Sequence, residues 1–169
     1  MKYMIISDIH GDIDKLNKVL DIFSKENCSK LLILGDLFNY GIDYNRDYII
    51  ERLNLMKNNI IAVSGNCDNN LTGIQFDMPY IRSFTLNNKQ ITLTHGHLYT
   101  KEDLFKSSSD LLFVGHSHIS NIEKRDNKIL INPGSISKSR RGENSFCIVD
   151  ESTITIRNLY NEIIEKAYI

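Results

Sequence analysis

Six short apolar runs each stop in a cluster of polar and glycine residues: YMII (3–6), LLIL (31–34), IIAV (60–63), ITLT (91–94), LLFV (111–114) and ILI (129–131). A continuous apolar run of this length suits a strand buried on both faces. Ile13, Leu16, Val19, Leu20 and Phe23 recur at helical spacing behind a capping Asp12, and residues 45–57 predict a second helix with Ile49, Leu53 and Met56 inward. The first 63 residues therefore read βαβαβ, which restricts the chain to a parallel sheet covered on both sides.

After residue 80 the pattern changes. FTLNNKQITLT predicts a hairpin around Asn87 and Asn88, followed by a helix near 101–107, the strand LLFV and a second hairpin around RDNK (125–128). The tail predicts three more antiparallel strands with turns near Asp150 and Asn161. With 169 residues, no repeat and no linker composition, one domain over 1–169 is expected, its second half completing a sandwich with the first. A net charge of −1 gives no footprint for nucleic acid or an anionic membrane. No run approaches the roughly 20 apolar residues of a membrane span. The N-terminal apolar stretch is too short for a secretory leader, so a cytoplasmic location is expected. Cys28, Cys67 and Cys147 are odd in number and form no CxxC pair, which argues against a disulfide framework and a zinc knuckle.

The runs end in SDIHG (7–11), GD (35–36), SGNCD (64–68), HGH (95–97), GHSH (115–118) and NPGS (132–135). All five histidines and six of the nine glycines lie in these stretches. The carboxyl ends of strands in an open α/β sheet are where ligands bind. Taken singly, an Asp after a strand is a helix cap and a His is a packed side chain. Taken together, Asp8, His10, Asp36, Asn66, His95, His116 and His118 supply the mixed nitrogen and oxygen donors of a two-metal hydrolytic site, with one carboxylate required to bridge. Such mixed ligation suits Mn²⁺, Fe²⁺ or Zn²⁺; Mn²⁺ is the ion expected, with Fe²⁺, Ni²⁺ or Zn²⁺ as alternatives.

D-x-H (8–10), GD, GN (65–66), HGH and GHxH, in this order, resemble the signature of the calcineurin-like metallophosphoesterases. SDIHG, RLN (52–54), IAVSGNCD (61–68), LTHGHLY (93–99) and NPGS are similar to its small YfcE-like phosphodiesterase branch over nearly the whole chain. The resemblance implies a four-layer αββα sandwich with mixed sheets. It implies Asp8, His10 and His118 on one ion, Asn66, His95 and His116 on the other, and Asp36 bridging both. It further implies hydrolysis of a small phosphodiester by a metal-bridging hydroxide.

Cys67 stands where many members of the superfamily have a histidine that protonates the leaving group. A thiol is a poorer acid near neutral pH, so good leaving groups are expected, or an acid elsewhere, for which His97 is the candidate. Asp68 is expected to order its loop or a ligand, and Arg140 and Arg141 either clamp phosphate or lie on a solvated loop. The alternatives are a phosphomonoesterase or nuclease of the same superfamily, or a non-catalytic scaffold like the retromer subunit that shares the fold. A homodimer or homotetramer is compatible with the resemblance.

Overall fold

The computed structural model describes residues 1–40, 44–69, 71–86 and 88–169. Asn87 of the expected first hairpin, residues 41–43 and residue 70 lie outside them. β1 (Tyr3–Ile6) pairs in parallel with β2 (Lys30–Ile33), and β2 with β3 (Ile60–Ala62). Between them run α1 (Ile13–Lys25) and α2 (Arg46–Asn54). Asp12 caps α1 by accepting from the Lys15 amide at 3.1 Å, satisfying one of the free N–H groups of the first turn. α2 is shorter than the expected 45–57: a 3₁₀ turn at Lys57–Asn59 replaces its last turn, so Met56 only flanks the core that Ile49 and Leu53 enter.

The hairpin β4 (Ile81–Leu86) and β5 (Lys89–Thr94), α3 (Lys101–Lys106), β6 (Leu111–Val114) and the hairpin β7 (Asn121–Arg125) and β8 (Lys128–Asn132) follow. β5, β6 and β8 are mutually parallel, with β4 and β7 antiparallel at the edges. The tail strands β9 (Ser145–Val149), β10 (Thr153–Asn158) and β11 (Ile163–Tyr168) do not extend this second sheet. They return to the first, giving the orders β11-β10-β9-β1-β2-β3 and β4-β5-β6-β8-β7. Both sheets are therefore mixed.

Strand alternation builds the layers. Met4 and Ile6 face the helices with Leu31 and Ile33, where Leu16, Val19, Leu20 and Phe23 of α1 cover them. Tyr3, Ile5 and Leu32 face the other way and meet Leu93, Leu111, Phe113 and Ile131 of the second sheet. Leu112 and Leu130 point outward beneath Leu104 and Phe105 of α3. The result is a four-layer αββα sandwich. No helix among the described residues is long and apolar enough to cross a membrane.

Glu26 closes α1 and ties it to both ends of the chain. Its carboxylate accepts from Lys2 Nζ (2.8 Å), Arg157 Nη1 (3.0 Å) and Asn161 Nδ2 (2.8 Å). The Lys2 and Asn161 hydrogen bonds outweigh burial and hold it at about 2. A folded value below the unfolded 4.5 adds stability that is complete above 4.5 and lost as pH falls through about 2. Glu26→Gln is thus expected to cost about 1 kcal/mol at neutral pH, the exposure of the pair limiting the effect. The gap from the parent should close on acidification, as read from denaturant midpoints. A gap independent of pH would contradict this role.

Candidate metal centre

The loops after β1, β2 and β3 continue the sheet pairing past the strand ends. Asp8 N donates to Gly35 O (3.1 Å), His10 N to Asp36 O (3.0 Å) and Gly11 N to Leu37 O (2.9 Å). Gly35, at φ 92°, lets the GD and GN loops touch backbone to backbone, since a Cβ there would sit 2.4 Å from Gly65 N. Gly115 leaves room for the side chains of the first sheet's loop, since a Cβ there would lie 2.0 Å from Ser7 Oγ and 3.2 Å from Asp8 Oδ2. Asp68 orders these loops rather than an imidazole. Its buried carboxylate accepts from the amides of Asp36 (2.7 Å), Leu37 (2.8 Å) and Gly65 (2.8 Å).

Five of the seven candidate ligands have left-handed backbones: Asp8 (φ 57°), His10 (47°), Asp36 (53°), His116 (65°) and His118 (59°). Each costs on the order of 1 kcal/mol, and the core, whose side chains contribute about 1.5–3 kcal/mol apiece, offsets it. His116 and His118 are consequently aimed by a turn and not by strand alternation. Ser117 between them is held in place, its Oγ accepting from Asn132 Nδ2 (2.9 Å), which also donates to Gly115 O (2.9 Å).

The side chains converge. His118 Nε2 lies 3.2 Å from His10 Nε2 and 3.1 Å from Asp8 Oδ1, while Asp36 Oδ2 lies 3.9 Å from His10 Nε2 and 3.3 Å from His95 Nε2. Asn66 Oδ1 is 3.2 Å from His95 Nε2, and the His116 ring stands edge-on to His95 at 5.1 Å. Asp8, His10 and His118 bring their ligand atoms within 4.8 Å of one another, and so do Asp8, Asp36 and His95. Cys67 forms a third such group with His10 and Asp36, which the spacing of the motifs did not indicate. His97 packs at 5.4 Å from His95 and 6.0 Å from Tyr80 and joins no such group among the described residues.

These contacts fit divalent cations. Asp8 Oδ1 is fully buried and has no hydrogen-bond partner among the described residues, although His118 Nε2 is near, as for two donors aimed at a common point. Two candidate ligand imidazoles are fixed from behind, His95 Nδ1 by Leu34 O (2.6 Å) and His118 Nδ1 by Lys138 O (2.7 Å), leaving each Nε2 toward the cluster. Burial opposes ionisation of Asp36, but the His95 contact and the Cys67 amide (2.8 Å) hold its carboxyl at about 2. Burial lowers His95, yet Asp36 and Asp8 leave it raised. The adjacent Asp8 carboxylate raises His118. The carboxylates thus demand positive charge at this spot. Burial lowers His10, His97 and His116. Burial and the Asp36 charge push the Cys67 thiol up to about 12, which leaves it neutral and a weak acid.

Tyr40, Asn39, Ser137 and Lys138 carry no periodic or motif signal of their own. Tyr40 OH accepts from Asn66 Nδ2 (2.7 Å), and Asn39 donates to His10 O (2.7 Å) while accepting from Lys138 Nζ. Ser135 and Ser137 both donate to Asp8 O at 2.8 Å, which gives the NPGS segment a structural duty beside the site. Arg140 and Arg141 are exposed; Arg140 N donates to His118 O (3.1 Å), and Arg141 lines a separate cleft with Lys101 and Glu123.

A sandwich with imidazoles, carboxylates and an amide gathered at its strand ends defines a class, and the sequence match agrees: residues 1–153 match the calcineurin-like phosphoesterase superfamily domain, and the chain belongs to that family. Within it, the chain is similar to phosphodiesterase YfcE of Escherichia coli, with 33% identity over 97% of this chain and 95% of that protein. The solved structure of YfcE, described as a phosphoesterase, superposes with a TM-score of 0.92 at 32% identity over 100% of both chains. The fold extends further, to zinc-bound Vps29 of Entamoeba histolytica, at a TM-score of 0.68 and 21% identity over 100% of this chain and 98% of that one.

Proposed function

We propose that residues 1–169 form one metal-dependent phosphoric diester hydrolase domain that cleaves small phosphodiesters at a centre for two divalent ions, Mn²⁺ being the first choice. The observation that supports this reading is the approach of Asp36 Oδ2 to both His10 Nε2 (3.9 Å) and His95 Nε2 (3.3 Å), with His118 near His10, Asn66 and His116 near His95, and Asp8 Oδ1 3.8 Å from His10 Nε2 and 4.0 Å from His95 Nε2. When bound, the ions would supply an activated water and neutralise phosphate charge. His10, His95, His116 and His118 would hold them as neutral imidazoles, with Asp8 and Asp36 balancing their charge. Tyr40 orients the Asn66 amide so that its oxygen faces inward.

The leaving group receives little help from the protein. Cys67 offers a thiol, a poorer acid near neutral pH than an imidazolium, and burial lowers His97. Diesters with good leaving groups are therefore the expected substrates. The test is turnover of a bis-aryl phosphodiester by protein stripped with chelator and reloaded with Mn²⁺, beside an aryl monoester and a dialkyl diester. Mn²⁺-restored turnover of the aryl diester, with the dialkyl diester far slower, is expected. Bound metal without turnover of any ester would favour a scaffold role, which the Vps29-like fold supports.

A further inference from the structure

A cleft of about 560 Å³ opens between α1, the loop 137–144 and the β10–β11 turn. It is lined by Lys15, Lys18, Ser137, Lys138, Glu143 and Tyr160, among others, so three lysines meet there, of which Lys15 is paired with Asp12 (2.9 Å) and donates to Ser137 O (2.9 Å). The Glu143 carboxylate is engaged, accepting from Asn158 Nδ2 at 3.1 Å. Tyr160 is 74% exposed, and Lys18 Nζ stands over its ring at 4.0 Å, which leaves the other face open to a flat group.

The cleft is at the metal end of the molecule. β9 and β11 are each antiparallel to a neighbour in the run β11-β10-β9-β1, so the β10–β11 turn emerges at the same end as the carboxyl terminus of β1, which carries Asp8 and His10. β10 lies two strand places from β1, a lateral offset of about 10 Å. Two lining residues also serve the centre. Ser137 Oγ donates to Asp8 O (2.8 Å), and Lys138 accepts His118 Nδ1 on its carbonyl (2.7 Å) while its ammonium rests on Asn39, the residue that holds His10 O.

We propose that this cleft is the subsite for one substituent of the diester and that it selects a nucleotide-like group, a flat ring accompanied by further negative charge. The inference rests on the phosphodiesterase reading of the centre. The scissile phosphate sits among the imidazoles, the second anionic group meets Lys15, Lys18 and Lys138, and the ring stacks on Tyr160. The volume is in the range of small-ligand sites, roughly 300–1,000 Å³.

The test is calorimetric binding to Mn²⁺-loaded protein of two probes: inorganic phosphate, and an adenosine bisphosphate with its phosphates on separate ribose hydroxyls. The bisphosphate is expected to bind about tenfold or more tighter than phosphate. The double variant Lys18→Met, Tyr160→Ala, both outside the centre, should reduce that preference to about twofold or less while metal content and phosphate affinity stay as in the parent. Equal affinity for both probes in the parent, or a preference unchanged in the variant, overturns the subsite. Loss of aryl diester turnover in the loaded parent would instead overturn the phosphodiesterase reading, and the binding ratio is measurable in either case.

Discussion

Asp36→Asn is expected to lower turnover of a bis-aryl phosphodiester by about a thousandfold or more, equivalent to about 4 kcal/mol of transition-state stabilisation. The fold should survive. Asp36 Oδ1 holds the Cys67 amide at 2.8 Å, and an asparagine oxygen can keep that bond. The other position then becomes an amide NH₂ facing His10 and His95, where the native carboxylate oxygen lies 3.9 and 3.3 Å from their Nε2 atoms. A donor cannot ligate a cation, and one negative charge is lost from a buried site. Metal content should fall along with turnover, while the thermal midpoint of the metal-free protein stays near the parent's. Full activity with full metal loading would remove Asp36 from the bridging position.

Asp68→Ala should produce the largest loss of stability. Three backbone amides from two loops converge on this carboxylate, and the residue is only 6% exposed. Removing it strands three buried donors at about 1–3 kcal/mol each, less than additively, for a total of roughly 3–5 kcal/mol. At about 2–4 °C per kcal/mol in a chain of this size, the midpoint should drop by roughly 6–20 °C. Asp68→Asn should fall between, because one oxygen can still serve Asp36 and Gly65 while the Leu37 amide loses its partner. A shift of less than about 2 °C for the alanine variant would mean that the loops are held by other contacts.

The strands were legible because burial on both faces demands unbroken apolar runs, as in YMII, where Tyr3 and Ile5 face one layer and Met4 and Ile6 another. The candidate ligands were legible because they follow those runs directly. Their geometry was not. Left-handed φ angles at Asp8, His10, Asp36, His116 and His118 reflect loops forced to turn by contacts from distant chain segments, and residue spacing does not encode them. Asp68 binds amides 31 and 32 residues away, so local pattern offers only a choice between loop and ligand. The return of β9 to pair with β1 is likewise a long-range preference, since either sheet offers an edge to the same apolar strand. The shortening of α2 has a local element, the 3₁₀ turn at Lys57–Asn59, that helical spacing alone does not separate from a final α-turn.

Metal stoichiometry tests the centre most directly. Protein loaded with Mn²⁺ and freed of excess ion should contain two ions per chain by elemental analysis, and electron paramagnetic resonance should show them magnetically coupled, with the coupling absent in Asp36→Asn. A single ion per chain, or two ions that behave as isolated Mn²⁺, would contradict a carboxylate-bridged pair.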